Sequence, residues 1–430
     1  MTTAFFLCLL ALFALAAIGT PIALSMIVAA IVYLFVRGQD PGLAAEQIIQ
    51  GLYDSFVLLA VPLFIVAANI MNAGTISERL LSFCVAVVGR FRGGLGHVNI
   101  VASLIFSGMS GSAVADAAGI GKIIIEMMTK SRYAPGYAAA ITAASATVGP
   151  IIPPSIPMVI YALVSDQSIG YLFLGGILPG LMMGAVLMAM NSYLATRRQF
   201  ALEDPVPLSK LPRLTVNAFP ALLMPAILLY GIYGGVTTPT EAAAVAAAYA
   251  LILAALFYRA LTWKNLYAIL SASARSSAAV GLVIGGALIF NYIVASENIP
   301  GKVAGALVGM DVDPLLFLLA INVLFLLLGC ILDATTLILV VVPLFIPACR
   351  QLGIDLVHFG VVIIVNTMIG LITPPYGILL FVINAVTGIK LSAIIREIWT
   401  FLAVLILALL IMILMPDVVL WLPRQFGYQG

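Results

Sequence analysis

Charge is what this 430-residue sequence has least of: Asp, Glu, Lys and Arg together make up 8% of it. A soluble domain carries roughly 25%, so this composition cannot build an aqueous surface all round. The net charge is only +2, and no basic run is interleaved with aromatics, which argues against a nucleic-acid partner. The four cysteines, Cys8, Cys84, Cys330 and Cys349, form no CxxC and sit in apolar stretches; they read as buried thiols rather than a disulfide or a metal set. His97 and His358 lie too far apart for a metal-ligand spacing, and structural roles suit them better than catalytic ones. P-loop, HExxH and GxSxG signatures are missing too. Neither a nucleotide-driven nor a hydrolytic engine is encoded, and the chain does not read as an enzyme. What is abundant is hydrophobicity, at 63%, which fits an all-α polytopic membrane protein.

The first apolar run extends from Thr3 to Val36 with no Lys or Arg before Arg37, unlike a signal peptide with its basic leader and short apolar core. It is too long for one crossing of about 20 residues, and Gly19-Thr20-Pro21 predicts two short helices joined by a tight turn. Further spans fall near 54–72, 138–165, 171–194, 217–233, 239–257, 276–295, 358–386 and 397–421. Stretches 94–129 and 314–349 differ, with polar or helix-breaking residues in the middle and charged flanks. Each is either two full crossings or one re-entrant hairpin. Irregular backbone at membrane depth survives only where protein or a water-filled cavity surrounds it, and the polar tips favour the hairpin.

A long-range repeat links these stretches. Ser107–Ser112 (SGMSGS) and Gly149–Pro154 (GPIIPP) are answered by Gly329–Thr336 (GCILDATT) and Gly370–Pro375 (GLITPP). The offset is constant: 329 − 108 = 221 and 370 − 149 = 221. Duplicated polar tips and proline-broken helices are the pattern of a secondary transporter built from two structural repeats. The first repeat covers 1–200, with hairpin 94–129 and broken helix 138–165. A cytoplasmic linker covers 201–216, and the second repeat covers 217–424, with hairpin 314–349 and broken helix 358–386. With the N-terminus periplasmic, 15 of the 19 basic residues fall on the cytoplasmic side, leaving Arg37, Lys302, Arg350 and Arg424 outside, as the positive-inside rule requires. Each half then has about five crossings plus one hairpin. Five is odd, so the second half enters the membrane inverted and the two tips approach the midplane from opposite faces.

Several residues have competing readings. Asp333 occupies the second tip where the first has Ser112 (333 − 221), and a carboxylate at membrane depth favours an ion role there. Asp116, just past the first tip, is open between capping a helix and serving an ion. Lys122 suits a side chain snorkelling to the interface. Thr238 or Thr240, with Glu241 in the first turn, suits a helix N-cap. Pro62 and Asn69 look like packing or kink features. The amphipathic stretch Ile76–Arg92 and its counterpart near Ile299–Met310 suit arms lying along the interfaces.

The segments Phe106–Gly121 (FSGMSGSAVADAAGIG), Val148–Ser155 (VGPIIPPS), Leu328–Thr336 (LGCILDATT) and Leu371–Gly377 (LITPPYG) resemble the large membrane subunit of tripartite ATP-independent periplasmic (TRAP) transporters. The likeness spans essentially the whole chain. It implies an elevator-type, sodium-coupled importer of organic acids such as sialic acid, C4-dicarboxylates or sugar acids, sited in the bacterial inner membrane. Its implied partners are a periplasmic solute-binding protein and a small four-helix membrane subunit; with no extra leading helices, the chain resembles the unfused form, in which that subunit is a separate polypeptide. No cofactor is implied beyond Na+ as coupling ion, with no transition metal.

Sodium is a hard cation that takes oxygen ligands. The resemblance implies one cage from Ser107, Ser110, Ser112, Gly149, Ile152 and Pro153. A second is implied from Gly329, Asp333, Thr336, Gly370, Thr373 and Pro374, with the solute near Gly111, Ser155, Thr335 and Tyr376. A stand-alone sodium- or proton-coupled carboxylate transporter or antiporter of related architecture is the alternative.

Overall fold

The computed structural model describes residues 2–72, 75–200, 206–309 and 312–430. Residues 201–205 of the expected linker and Met310 of the second expected arm lie outside these. Every regular element among the described residues is helical. Among the described residues, six helices are long and apolar enough to cross a membrane: Ile169–Arg197, Leu211–Tyr233, Pro239–Phe257, Trp263–Ser296, Ala334–Gln351 and Leu391–Leu414. A seventh candidate is the pair Gly42–Asp54 and Phe56–Met71, bent by 75°. Large apolar side chains such as Phe6, Phe13, Phe35, Tyr230 and Phe257 are exposed on the outside, as a lipid-facing surface demands.

Local chemistry sets the breaks. Thr3–Ala17 and Ile22–Val36 are separate helices, because Gly19 takes φ +88° and closes the first. Its N–H donates to the Ala16 carbonyl and that of Thr20 to Leu15, the glycine-terminated pattern that satisfies the last carbonyls of a helix. Pro21 then leads the second helix out. Helix Pro135–Ala146 gives way to irregular backbone until Ile156–Ser165, and Leu356–Gly370 until Ile378–Thr387. Proline explains both gaps. Pro153, Pro154 and Pro157 have no N–H for the carbonyls of Gly149, Pro150 and Pro153, and Pro374 and Pro375 have none for Gly370 and Leu371.

The helices sort into two packed groups. A frame is formed by Thr3–Ala17, Ile22–Val36, the bent pair, Leu211–Tyr233, Pro239–Phe257 and Trp263–Ser296. A core group contains both hairpins, both broken helices, Ile169–Arg197 and Leu391–Leu414. Thr75–Val88 bridges them by packing on Gly94–Ser110 and Leu211–Tyr233, and Ile299–Gly309 does so through Val342–Gln351 and Trp263–Ser296. Charged ends gather by side. Glu297 accepts from the Thr2 N–H (3.2 Å), the Thr2 hydroxyl and the Tyr33 hydroxyl (3.1 Å), so the chain start and the ends of the second and longest helices share one side. Arg198 pairs with Glu397 at 2.8 Å at the ends of two core helices.

Candidate functional site between the hairpin tips

Each hairpin is an outgoing helix, a short non-helical tip and a return arm. The first runs Gly94–Ser110 and returns over 113–130, with a π-helical stretch at Ala117–Gly121. The second runs Pro314–Gly329 and returns over 334–351, with a π-helical stretch at Leu337–Val341. Gly111 turns the first tip at φ +58°, and a Cβ there would lie 2.6 Å from the Pro154 carbonyl oxygen. Only glycine meets both demands.

The return arms are capped at equivalent positions. Ser112 accepts from the Ala115 N–H at 3.4 Å, and Asp333 from the Thr336 N–H at 3.1 Å; both residue pairs are 221 apart. Asp333 also accepts from the Thr336 hydroxyl at 2.6 Å. The repeat continues behind the tips as buried polar ties. Asn99 binds Thr142 and Ser145 at 2.6 and 2.9 Å in the first half. Asn366, 221 residues after Ser145, donates to the Asn322 side chain at 2.7 Å in the second. These ties hold each outgoing helix against its broken helix, and both broken helices carry a cis Pro–Pro bond, Pro153–Pro154 and Pro374–Pro375.

The two tips meet across one cavity of about 260 Å³. Ser110, Gly111, Ser112 and the residues up to Ala115 line it from the first hairpin, and Asp333, Ala334 and Thr335 from the second. The frame closes the far wall with Ile65, Ala68, Asn69, Ser276 and Val280. Among the expected site residues, Ser110, Gly111, Ser112, Asp333 and Thr335 therefore come together.

The others stand behind the cavity or away from it. Ser107 is buried and donates to the Leu104 carbonyl at 2.6 Å. Ser155 is buried, donates to the Pro150 carbonyl and caps Met158. Thr336 is buried on Asp333, and Thr373 donates to Ile369 at 2.8 Å. Gly329 and Gly370 pack on each other. Gly149, Ile152, Pro153 and Pro374 sit in the two irregular breaks. Tyr376 is 57% exposed and leans on Phe381, outside the cavity lining. A hydroxyl that gives its proton to a carbonyl keeps its lone pairs for a cation, so Ser107 and Thr373 are set up as acceptors.

Asp116 resolves differently from a cap. Ser112 fills that role, and Asp116 instead lies buried beside Gly149, where a Cβ would come within 2.5 Å of Oδ2. Its Ser110 neighbour is the polar side chain acting on it, and neither carboxylate oxygen completes a hydrogen bond of normal geometry. A buried carboxylate in that state asks for a cation or a proton. The first half thus has a carboxylate of its own, beside the break at Gly149 rather than at the position aligned with Asp333.

Two wall residues escape a sequence reading. Asn69, read as packing, and Ser276 face the cavity from the frame. Asn69 signals itself only by its polarity within an apolar span, and Ser276 is one of several serines around Arg275.

Comparison with known proteins fits this geometry. Residues 9–418 match the profile of the family described as tripartite ATP-independent periplasmic transporter, DctM component. The chain belongs to this family. It is 40% identical to the sialic acid TRAP transporter large permease protein SiaM of Vibrio cholerae over 95% of this chain and 96% of that one. It is 37% identical to the C4-dicarboxylate TRAP transporter large permease protein DctM of Pseudomonas aeruginosa over 87% and 88%. The crystal structure of the Alcanivorax borkumensis YdaH transporter, described as having an unusual topology, superposes with a TM-score of 0.61 over 88% of each chain at 16% identity. That likeness is one of fold. The chain is a multi-pass TRAP large permease and not an enzyme.

Proposed function

We propose that this permease is the large subunit of a sodium-coupled, binding-protein-dependent importer of organic acid anions, operating by an elevator motion in the bacterial inner membrane. The observation that carries the reading is the single cavity in which both hairpin tips present hydroxyls and the Asp333 carboxylate. Sodium is held at two cages. The first takes Asp116 and the serines Ser107 and Ser110 against the break at Gly149–Pro153. The second takes Asp333 and Thr336 against Gly370 and Thr373. Cation charge beside the cavity, with the N–H groups opening the return arms, offsets a solute carboxylate where no basic side chain lines the wall.

The division into frame and core supports the elevator. Polar ties between the groups include Asn291 Nδ2 to the Leu339 carbonyl at 2.9 Å and the Tyr233 hydroxyl to the Gly170 carbonyl at 2.8 Å. Single neutral bonds of about 1 kcal/mol each can be exchanged as one group slides past the other. The halves are inverted, the N-terminus is periplasmic, and a small membrane subunit and a periplasmic binding protein complete the system. Sialic acid and C4-dicarboxylates, the solutes in the names of two similar permeases, are the first candidates.

The test is uptake of candidate acids into proteoliposomes holding this chain and a small-subunit partner, with binding protein outside. Uptake is expected with an inward sodium gradient and not with potassium. Uptake without the binding protein would instead favour a stand-alone carboxylate transporter, and sodium-independent uptake would remove the cages.

A further inference from the structure

We propose that Asn69, reaching the cavity from the frame and held by Ser273, reads a neutral hydroxyl or amide substituent of the organic anion and so determines specificity. This rests on the transport-site reading above. The two walls of the cavity differ in chemistry. The tips bring Ser110 at the end of the first outgoing helix, and Ser112, Asp333 and Thr335 at the starts of two long return arms, a wall suited to a carboxylate with its cation. The frame wall is apolar except for two neutral groups, Asn69 and Ser276. A carboxylate pressed there would lose hydration without recompense, whereas a hydroxyl or amide finds a partner.

The hydrogen bonding of Asn69 fixes what it offers. Ser273 is 1% exposed and donates its one proton to the Ile269 carbonyl at 2.8 Å. It can therefore only accept from Asn69, whose Nδ2 lies 2.9 Å away. That settles the amide orientation, because a flipped Asn69 would set two acceptors face to face. The carbonyl oxygen and the second N–H of Asn69 are left for a ligand, and an acceptor beside a donor matches a hydroxyl or a secondary amide. Ile65, Ala68 and Val280 line the cavity with it, and a low local dielectric strengthens the bond. The head group is also ordered before the solute arrives, which lowers the cost of binding.

The experiment uses the full chain in lipid nanodiscs, with N-acetylneuraminate, D-gluconate and succinate titrated in sodium or potassium. Asn69→Leu, of nearly the same shape, is expected to weaken binding of the hydroxylated acids by roughly tenfold, with succinate changed by less than about twofold. Half-saturation by sodium stays where it was. Ser273→Ala frees the amide and gives a smaller loss in the same order. Equal weakening of all three acids, or a sodium shift accompanied by lower thermal stability, makes Asn69 a packing residue and overturns the inference. Binding of succinate alone by the unaltered chain overturns it as well, leaving the transport site intact. No sodium-dependent binding of any acid removes both readings together.

Discussion

Gly370 rests directly on Gly329: a Cβ at Gly370 would lie 2.8 Å from both the Cα and the carbonyl carbon of Gly329. The contact joins the end of the second outgoing helix to the start of the second break. It is asymmetric, because a Cβ on Gly329 would meet Gly370 Cα at an ordinary 3.4 Å.

That asymmetry makes a paired prediction. Gly370→Ala should cost roughly 1–3 kcal/mol, the usual range for overpacking against backbone that cannot yield. Gly329→Ala should be nearly neutral. Thermal unfolding of the two purified variants checks this, and equal losses would refute the packing argument.

Asp116 is expected to act through its charge. Asp116→Asn preserves size, so folding should survive while half-saturation by sodium rises about tenfold, the scale of one lost charged contact. Transport at several sodium concentrations reads this directly. An unchanged sodium curve would return Asp116 to a packing role.

Asp333 has two duties that two substitutions separate. Asp333→Ala removes the cap on Thr336 and should lower stability by about 1 kcal/mol as well as impairing sodium dependence. Asp333→Asn keeps a capping oxygen and loses only the charge, so its stability should hold while its sodium response falls. If both variants are equally unstable, the carboxylate serves the second tip mainly as structure.

Glu297, just beyond the span Trp263–Ser296, predicts a pH dependence. Hydrogen bonds from Thr2, and then from Tyr33, hold its carboxyl below the ordinary value of 4.5. A depressed carboxyl contributes stability in full above its unfolded value, and that contribution is lost as pH falls through the lower, folded value. The unaltered protein should therefore lose more stability than Glu297→Gln on acidification below 4.5. Melting curves across that range check it, with parallel acid losses as the contrary result. Residues 2–8 of Glu297→Gln should also exchange amide hydrogens faster, because the chain start is no longer pinned.

Much of the architecture was legible without coordinates because its causes are local. Prolines at 153, 154, 157, 374 and 375 withhold N–H groups from particular carbonyls, and Gly19 closes a helix within four residues of its own chain. The constant spacing of 221 paired Ser112 with Asp333, and the structure makes these two residues the caps of the return arms. Thr238 and Glu241 form a capping box, again a matter of neighbours in sequence.

What only the tertiary structure decided is which of those polar groups share a space. Ser110, Asp333 and Asn69 are each acceptable as caps, ties or packing when read along one helix. Their common cavity depends on helices from opposite ends of the chain docking against one another. Asp116 shows the limit most clearly: its residue type and spacing suit a cap, and its placement beside Gly149 arises from the contact between a return arm and a helix break more than thirty positions later. Helical periodicity tells which residues share a face. Only the burial of one helix by another decides what that face meets.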